Sequence, residues 1–249
     1  MAFKILFSNI GYAKGIDGSL WQHVRGFGRH IYCRVPVQKT VLTQVKDIMA
    51  AEQPDLCCLV EIDQGSFHSA YFNQIHDLVD SEYKFFDITN KYGEDSLLRR
   101  LPSHRGNSNA FLSKYEFPFE RFYFSNGTKR LIYRIELPGN RFVFFAHFSL
   151  NKEVRAKQFE ETNHLLRACS GEVILLADFN ILDGFSELNP LLHETGLSVL
   201  NNEADPTFRF HKRRLALDLC IGSKDLLAQM QLKIIHQPFS DHAAILVEI

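Results

Sequence analysis

The chain has 249 residues, of which 45% are hydrophobic and 23% are charged, and its formal net charge is −1. These are ordinary globular values, and the length is sufficient to bury a substantial core. The near-zero charge excludes a surface coated in positive charge for gripping a nucleic-acid backbone, although a local basic cleft stays compatible with it. No internal repeat or linker-like segment divides the sequence, so we expect one domain over residues 1–249.

Strand-like runs recur along the chain, and most of them are apolar with a polar residue at the end. The predicted strands are residues 3–8, 56–61, 83–88, 109–113, 121–124, 130–137, 142–147, 173–177, 217–221 and 243–248. Apolar spacing predicts helices over residues 37–52 and 153–169, with shorter ones over 66–79 and 188–193. This pattern favours an α/β fold in which two sheets pack face to face with helices outside them.

Two long segments, residues 11–36 and 91–107, lack a strand or helix pattern. Both exceed the usual connection length of about 4–6 residues. They carry aromatic and basic side chains among glycines, which makes them candidates for holding a substrate through Arg25, Arg29 and Arg105. The alternatives are an Ω-loop packed on its own side chains for the first segment and a merely solvated basic face for both.

The cysteines and the N-terminal residues indicate a reducing compartment. The five cysteines are odd in number and lack metal-ligand spacing, and Cys57, Cys58 and Cys220 lie in apolar runs, so we expect buried, reduced thiols. The first residues turn polar too soon for a signal peptide, and no apolar run approaches the ~20 residues that span a bilayer. We therefore expect a soluble, cytoplasmic protein, and nothing in the sequence indicates a dimer rather than a monomer.

Polar residues follow several apolar runs. Burying a polar side chain there costs free energy unless it finds a partner or serves a function. Glu61 ends the second predicted strand, where it either holds a divalent cation at the sheet edge or is a solvated surface residue. Asn9, at the end of the first strand, alone favours a turn-capping role. His147 follows a strongly apolar strand and is either a hydrogen-bonded core histidine or a donor to a phosphate oxygen.

Asp178 and Asn180 lie two residues apart after another apolar run. If the chain stays extended there, both side chains point to one face, so that Asp178 can activate a water and Asn180 can donate to a phosphate. The alternative is an Asx-turn.

A second carboxylate and a histidine form a further predicted pair. Asp218 lies in an apolar strand and needs a partner, for which His242 is the candidate and Arg214 the alternative. An aspartate paired with a histidine fixes the tautomer of the imidazole and raises its proton affinity. Asp241, next to His242, either adds a carboxylate to a metal site or caps the final strand.

The order of these motifs resembles the endonuclease/exonuclease/phosphatase superfamily over nearly the whole chain. The series is Asn9, Glu61, the segment containing Asn107 and Asn109, His147, Asp178-Phe179-Asn180, Asp218 and Ser240-Asp241-His242. The superfamily includes deoxyribonucleases of the pancreatic type, apurinic endonucleases, neutral sphingomyelinases, inositol polyphosphate 5-phosphatases and tyrosyl-DNA phosphodiesterases.

The resemblance implies a four-layer α/β sandwich of two mainly antiparallel sheets, with a metal-dependent phosphoesterase site at one sheet edge. It implies one Mg²⁺ or Mn²⁺ held mainly by Glu61, with Asn9 and Asp241 nearby. Asp178 would activate water, and Asn180 and His147 would contact the phosphate. Asp218 would pair with His242, which would stabilise developing charge or assist proton transfer.

Four positions depart from the family pattern. Gly11 stands where many nucleases have an aspartate, which puts a second metal-binding carboxylate in doubt, and Val60 stands where a glutamine is usual. Ala177 replaces a glycine, and Leu219 replaces a tyrosine.

The sequence leaves the substrate open. Nucleic acid would use the arginines of residues 11–36 and 91–107 with Trp21, Phe27 and Tyr32 as stacking platforms, and Asn107 and Asn109 are further candidate substrate contacts. A phospholipid or sugar-phosphate substrate would use the same arginines to clasp a head group, with Trp21 and Phe27 entering an interface. The leading prediction is a Mg²⁺-dependent phosphodiesterase acting by water attack, and the alternative is a catalytically silent module that binds a phosphorylated partner.

Overall fold

The structure is a computed structural model that describes residues 2–249. It contains two mixed six-stranded sheets packed face to face and flanked by helices, which confirms the predicted fold. The first sheet contains β1 (Lys4–Asn9), β2 (Leu56–Asp63), β3 (Phe85–Asn90), β4 (Asn107–Ser113), β13 (Gln231–Ile235) and β14 (Ala244–Glu248). The second sheet contains β5 (Phe119–Tyr123), β6 (Leu131–Leu137), β7 (Arg141–His147), β8 (Glu172–Asp178), β9 (Ser198–Val199) and β12 (Asp218–Gly222). Between β9 and β12 in the chain, β10 (Phe208–Phe210) and β11 (Arg213–Leu215) form a separate hairpin.

Each sheet is mainly antiparallel with one parallel pair in its interior. In the first sheet β1 pairs with β2 in parallel, and in the second β7 pairs with β8 in parallel. A long helix connects the strands of each parallel pair, as a parallel connection requires. These helices are α2 (Val35–Glu52) and α4 (Lys152–Arg167), and the other helices are α1 (Leu20–Ile31), α3 (Ile75–Leu78), α5 (Asn189–Thr195) and α6 (Lys224–Leu227).

Alternation along the strands produces three apolar layers. Residues such as Phe7 in β1 and Phe145 in β7 point between the sheets, where the ring of Tyr133 stacks on Phe145 with 4.6 Å between centroids. Their neighbours, such as Leu6 and Phe144, point outward and are covered by α2 on one side and by α4 and α5 on the other. The helices therefore form the outer layers of a four-layer sandwich.

The prediction that residues 11–36 form a long loop is wrong, because α1 occupies much of this segment. The hydroxyl of Ser19 caps α1 by accepting a hydrogen bond from Gln22 N at 3.2 Å. Gly26, inside the helix, lets it approach the core, since a Cβ there would lie 3.1 Å from Ile16 Cγ1. The several glycines and the exposed apolar face obscured a helix that the spacing of Leu20, Val24 and Phe27 supports.

The other differences concern short elements. The predicted helix over residues 66–79 is reduced to α3, because the Asp63 carboxylate accepts hydrogen bonds from Gly65 N, Ser66 N and Ser69 Oγ and holds the start of this segment in turns. Four strands were not predicted: β9, β10, β11 and β13.

Two predictions concern buried thiols and membrane spans. Cys57, Cys58 and Cys220 are buried and free, as predicted. Within residues 2–249 no helix has the length and apolar character to cross a bilayer.

Candidate active site

The strand directions explain why residues far apart in sequence meet at one edge of the sandwich. β1, β2, β7 and β8 end at this edge, so the residues at or near their ends, Asn9, Glu61, His147 and Asp178, lie there. The antiparallel partners β4, β12 and β14 begin at the same edge. Asn107, Asp218 and Asp241-His242 stand at or just before those strand starts.

Asp178 is the centre of the cluster, because its Oδ2 atom meets groups from both sheets. Asn9 Nδ2 donates a hydrogen bond to it at 3.1 Å, which joins the first sheet to the second. His147 Nε2 lies 3.0 Å from the same oxygen, and His242 Nε2 lies 3.7 Å from it. Although burial alone raises the pKa of Asp178, the two imidazoles hold it well below its usual range, so this carboxylate is ionised at neutral pH.

His242 is buried and carries its own carboxylate partner. Its Nδ1 atom lies 2.8 Å from Asp218 Oδ2, so the structure brings together the residues predicted to pair. Burial alone lowers the pKa of His242, but Asp218 and Asp178 outweigh it and raise the pKa to about 10. The imidazole is therefore held as a cation with Nε2 directed toward Asp178. Asp218 begins β12 rather than lying in the middle of a strand.

Glu61 has an unusual backbone inside a strand. Its φ angle is 54°, in the left-handed region that costs a non-glycine residue about 1–2 kcal/mol. The register between β2 and β4 shifts between Leu59 and Ile62, so the strained Glu61 lies in a β-bulge. Backbone strain of this kind concentrates at functional sites. The bulge leaves the Glu61 side chain 23% exposed, with Oε1 3.8 Å from His147 Nδ1.

His147 is buried and neutral. Burial, followed by the Lys129 ammonium, lowers its pKa to about 4. Lys129 Nζ contacts Nε2, whereas Nδ1 is buried without a hydrogen-bond partner in the described chain. The imidazole therefore has hydrogen-bonding capacity directed toward Glu61.

The sequence analysis missed three lysines around Glu61, namely Lys129, Lys91 and Lys14. Burial alone raises the pKa of Glu61, but His147, Lys129, Lys91 and Lys14 together lower it to about 2. Lys91 follows β3 and its Nζ contacts the Tyr12 hydroxyl, and burial lowers the pKa of this lysine to about 8. The only available signal was their position beside predicted strands, which is also where ordinary surface lysines occur.

Asn180 departs from the predicted geometry, because the chain is not extended there. Its φ angle is 52°, and its backbone N–H donates to Asp178 Oδ1 at 3.2 Å. This is the Asx-turn that the sequence left as the alternative. The side chain donates to Phe148 O at 3.0 Å and ties the ends of β7 and β8 together. Asn9 also forms a turn contact, since its Oδ1 accepts from Gly11 N at 3.1 Å.

A buried glutamine that the sequence analysis did not identify holds two site segments together. Gln237 Nε2 donates to His242 O at 3.0 Å and to Asn9 O at 3.3 Å. Ser8 Oγ in turn donates to Gln237 Oε1 at 2.7 Å. Ser240 Oγ donates to Asn9 O at 2.9 Å and accepts from His242 N, so the Ser-Asp-His segment is fixed on the end of β1. A single glutamine outside a recognisable motif gives no sequence signal.

Asp241 and the two asparagines of β4 also lie at this edge. Asp241 is partly buried, and burial raises its pKa, with Glu61 acting in the same direction. Asn107 donates to the Tyr92 hydroxyl at 2.9 Å. Asn109 is buried, and its Oδ1 has no hydrogen-bond partner in the described part of the chain.

The arginines predicted to bind substrate are not all free to do so. Arg29 Nη1 donates to Lys14 O at 3.2 Å and to Gly15 O at 3.1 Å, so it secures α1 to the preceding loop. Arg25 is exposed above the Trp21 ring, and Arg105 is exposed above the Tyr71 ring.

The donors around Glu61 fit a hard divalent cation. The Glu61 carboxylate is partly exposed and accepts no hydrogen bond from another side chain of residues 2–249, and the Asn9 and Asp241 oxygens belong to the ligand class that Mg²⁺ and Mn²⁺ prefer. Asp178, Asp218 and His242 also meet within 4.8 Å. Within this trio, His242 and Asp218 form a direct hydrogen bond of 2.8 Å, so we describe the three residues as an ion-pair network and not as a metal site.

A known family matches the sequence. The profile described as the Endonuclease/Exonuclease/phosphatase family matches residues 24–242. Comparison with curated proteins gives no match.

Solved structures share the fold. An endonuclease/exonuclease/phosphatase family protein from Leptotrichia buccalis is 18% identical over 100% of this chain and 99% of that chain, with a TM-score of 0.68. D. rerio TDP2 complexed with single strand DNA product is 13% identical over 99% and 98%, with a TM-score of 0.67. The human nocturnin catalytic domain with bound sulfate is 14% identical over 99% and 93%, with a TM-score of 0.62. At these identities the likeness shows the fold alone.

Proposed function

The chain belongs to the endonuclease/exonuclease/phosphatase family, and on that premise we propose that it is a divalent-metal-dependent phosphodiesterase that hydrolyses its substrate by direct attack of water. Members of this family are generally hydrolases that act on phosphoesters and use divalent metals. The observation that carries the proposal is the convergence on Asp178 Oδ2 of Asn9, His147 and His242 from both sheets. The proposal treats residues 1–249 as one catalytic domain.

Asp178 is the residue that positions and activates the water. Its buried carboxylate is ionised at neutral pH and accepts a hydrogen bond from Asn9 at the edge where the two sheets meet. A water held by this carboxylate attacks phosphorus in line with the leaving oxygen, passes its proton to the carboxylate, and releases the leaving group without a covalent intermediate.

His242 and the lysines stabilise the negative charge that develops on the phosphoryl oxygens. The Asp218 carboxylate keeps His242 cationic, so its Nε2–H can donate to an oxygen of the pentacoordinate state. Lys129 and Lys91, which surround Glu61, pair with non-bridging oxygens in the same region. When bound by Glu61 with Asn9 and Asp241 beside it, Mg²⁺ or Mn²⁺ supplies further Lewis-acid stabilisation of that charge.

Asn180 and His147 have supporting roles in this scheme. Asn180 fixes the turn that presents Asp178, through its bond to Phe148 O. His147 Nε2 lies 3.0 Å from Asp178 Oδ2, and Lys129 Nζ contacts the same imidazole. We propose that the uncharged ring donates to Asp178 through Nε2–H, which leaves the Nδ1 atom as an acceptor toward the substrate or a water beside Glu61.

The substrate is a phosphoester of a nucleic acid or of a phospholipid or sugar phosphate. A hydrolysis panel that contains DNA, RNA, sphingomyelin-type lipid and inositol phosphates, with Mg²⁺ or with chelator, tests the proposal. We expect one class to be cleaved, with loss of cleavage in chelator and in Asp178→Asn but not in Asp183→Asn, whose exposed carboxylate contacts Lys152. Binding of a phosphorylated ligand without turnover, unaffected by Asp178→Asn, would instead favour the silent module.

A further inference from the structure

α1 presents its apolar face to solvent instead of to the core. The exposed fractions are 61% for Leu20, 66% for Trp21, 65% for Val24, 67% for Phe27 and 57% for Ile31. Four of these residues recur at intervals of three or four, so they form one stripe along all three turns. The apolar positions of α2, by contrast, are buried against the first sheet. A helix stripe of this size on a globular protein marks an interaction surface.

The stripe continues onto the neighbouring segment of the chain. Cys33 N donates to His68 O at 2.7 Å, which joins the end of α1 to the turns after β2. As a result the exposed ring of Tyr32 lies 5.6 Å from that of Phe67, and Phe67 lies 6.3 Å from Tyr71. We call the α1 stripe together with these three aromatic residues the α1 patch.

The α1 patch has a basic border. α1 contains no acidic residue and carries the exposed Arg25, and the exposed Arg34 follows it. Phe67 N donates to Pro102 O at 2.8 Å, so the second arginine-bearing segment lies beside the patch. Its Arg105 guanidinium lies 4.9 Å from the centre of the Tyr71 ring, as Arg25 lies 5.3 Å from that of Trp21.

We propose that the α1 patch binds the surface of an anionic phospholipid bilayer, with α1 lying in the plane of the interface. A short amphipathic helix with Trp, Phe and Leu on one face and arginines at its border has the composition of interfacial helices. Its aromatic rings suit the head-group region, and the arginines attract anionic lipids. This binding does not depend on the proposed hydrolysis.

The aliphatic residues favour a lipid over a single-stranded nucleic acid. Bases stack on aromatic rings, so Trp21 and Phe27 alone would serve a nucleic acid. Leu20, Val24 and Ile31 offer no stacking surface, yet they are as exposed as the aromatic residues and gain from burial among acyl chains.

The α1 patch begins beside the candidate active site. Gly18, one residue before the cap of α1, accepts a hydrogen bond from His211 N at 2.7 Å. A Cβ at Gly18 would lie 2.9 Å from Asp241 Cβ, so the chain passes directly from the site into α1. Binding through the α1 patch therefore brings the candidate site close to the lipid surface.

Co-sedimentation with vesicles tests this proposal. We expect the protein to sediment with phosphatidylcholine vesicles that contain one quarter phosphatidylserine, and to do so less with pure phosphatidylcholine or in high salt. The double variant Trp21→Gln/Phe27→Gln should bind the anionic vesicles at least about tenfold more weakly, because two buried aromatic anchors are removed. The matched control is Tyr115→Gln, which alters a residue 56% exposed outside the patch.

Two outcomes would overturn the proposal. The first is no sedimentation of the wild type with anionic vesicles, and the second is an equal loss in Tyr115→Gln. In the first case, binding of a labelled oligothymidylate through Trp21 and Phe27, or self-association in sedimentation velocity, would assign the α1 patch to a nucleic acid or to a second copy of the chain. Circular dichroism establishes that the double variant is folded, which is expected because both side chains are exposed. Hydrolysis is not part of this readout, so failure here is distinct from failure of the proposed activity.

Discussion

Asp178 differs from an ordinary surface aspartate in that one of its oxygens faces three side chains from different elements. Asparagine has nearly the same shape but neither accepts a proton nor holds a water as strongly. Asp178→Asn should therefore lower kcat by about 10²–10⁴-fold, the usual contribution of a general base. Steady-state kinetics on the cleaved substrate measure this, with circular dichroism as the check on folding. Activity within a few-fold of wild type would assign the water to another residue.

The pair formed by His242 and Asp218 predicts a pH dependence of stability. The folded-state pKa of His242 is about 10, above its unfolded value of about 6.5, so the stabilisation from its charge is complete below the unfolded pKa and is lost as pH rises toward 10. In metal-free protein, the excess unfolding free energy of wild type over His242→Gln should shrink between about pH 6.5 and about pH 9.5. Urea titrations across this range measure it. A difference that stays constant would mean that His242 is neutral in the folded protein.

The bulge in β2 predicts a difference between two substitutions that remove the same carboxylate. Glu61 has φ 54°, which glycine adopts freely and alanine does not. Glu61→Gly should therefore be more stable than Glu61→Ala by about 1 kcal/mol, although glycine loses more backbone entropy on folding. Chemical unfolding of both variants measures this. Asp183 provides the control, because its φ angle is not positive. There the stability advantage of the glycine variant over the alanine variant should vanish or reverse.

The elements that were predicted well from the sequence are those whose apolar residues are buried in the structure. Apolar runs such as residues 173–177 lie inside a sheet, and β8 extends only one residue beyond that run at each end. α1 was missed because its apolar stripe is not buried and its glycines are typical of a loop. β10 and β11 were missed because they lie outside both sheets and only Phe208 and Leu215 pack against a core, so neither strand has an apolar run.

At the scale of the whole molecule, the candidate site was predictable wherever a polar residue interrupts a buried run. Asn9, His147 and Asp178 are the last residues of strands whose apolar residues fix their position at one edge. Lys129 and Lys91 were not predictable, because they reach Glu61 only through the packing of two sheets. The role of Gln237 was not predictable for the same reason, because its partners, Asn9 and His242, come together only in the folded chain.

The proposed metal binding would link this site to the stability of the whole chain. Asn9, Glu61 and Asp241 come from distant parts of the sequence, so the unfolded chain cannot assemble them, and a cation that binds only the folded state must stabilise it. Mg²⁺ at about 100 times its Kd should add about 2.7 kcal/mol and raise Tm, relative to NaCl of equal ionic strength. Scanning calorimetry with increasing Mg²⁺ measures this in wild type, in Glu61→Gln and in Glu160→Gln, whose carboxylate is exposed on α4. The shift should vanish in Glu61→Gln and persist in Glu160→Gln, and an equal shift in both would place the cation elsewhere.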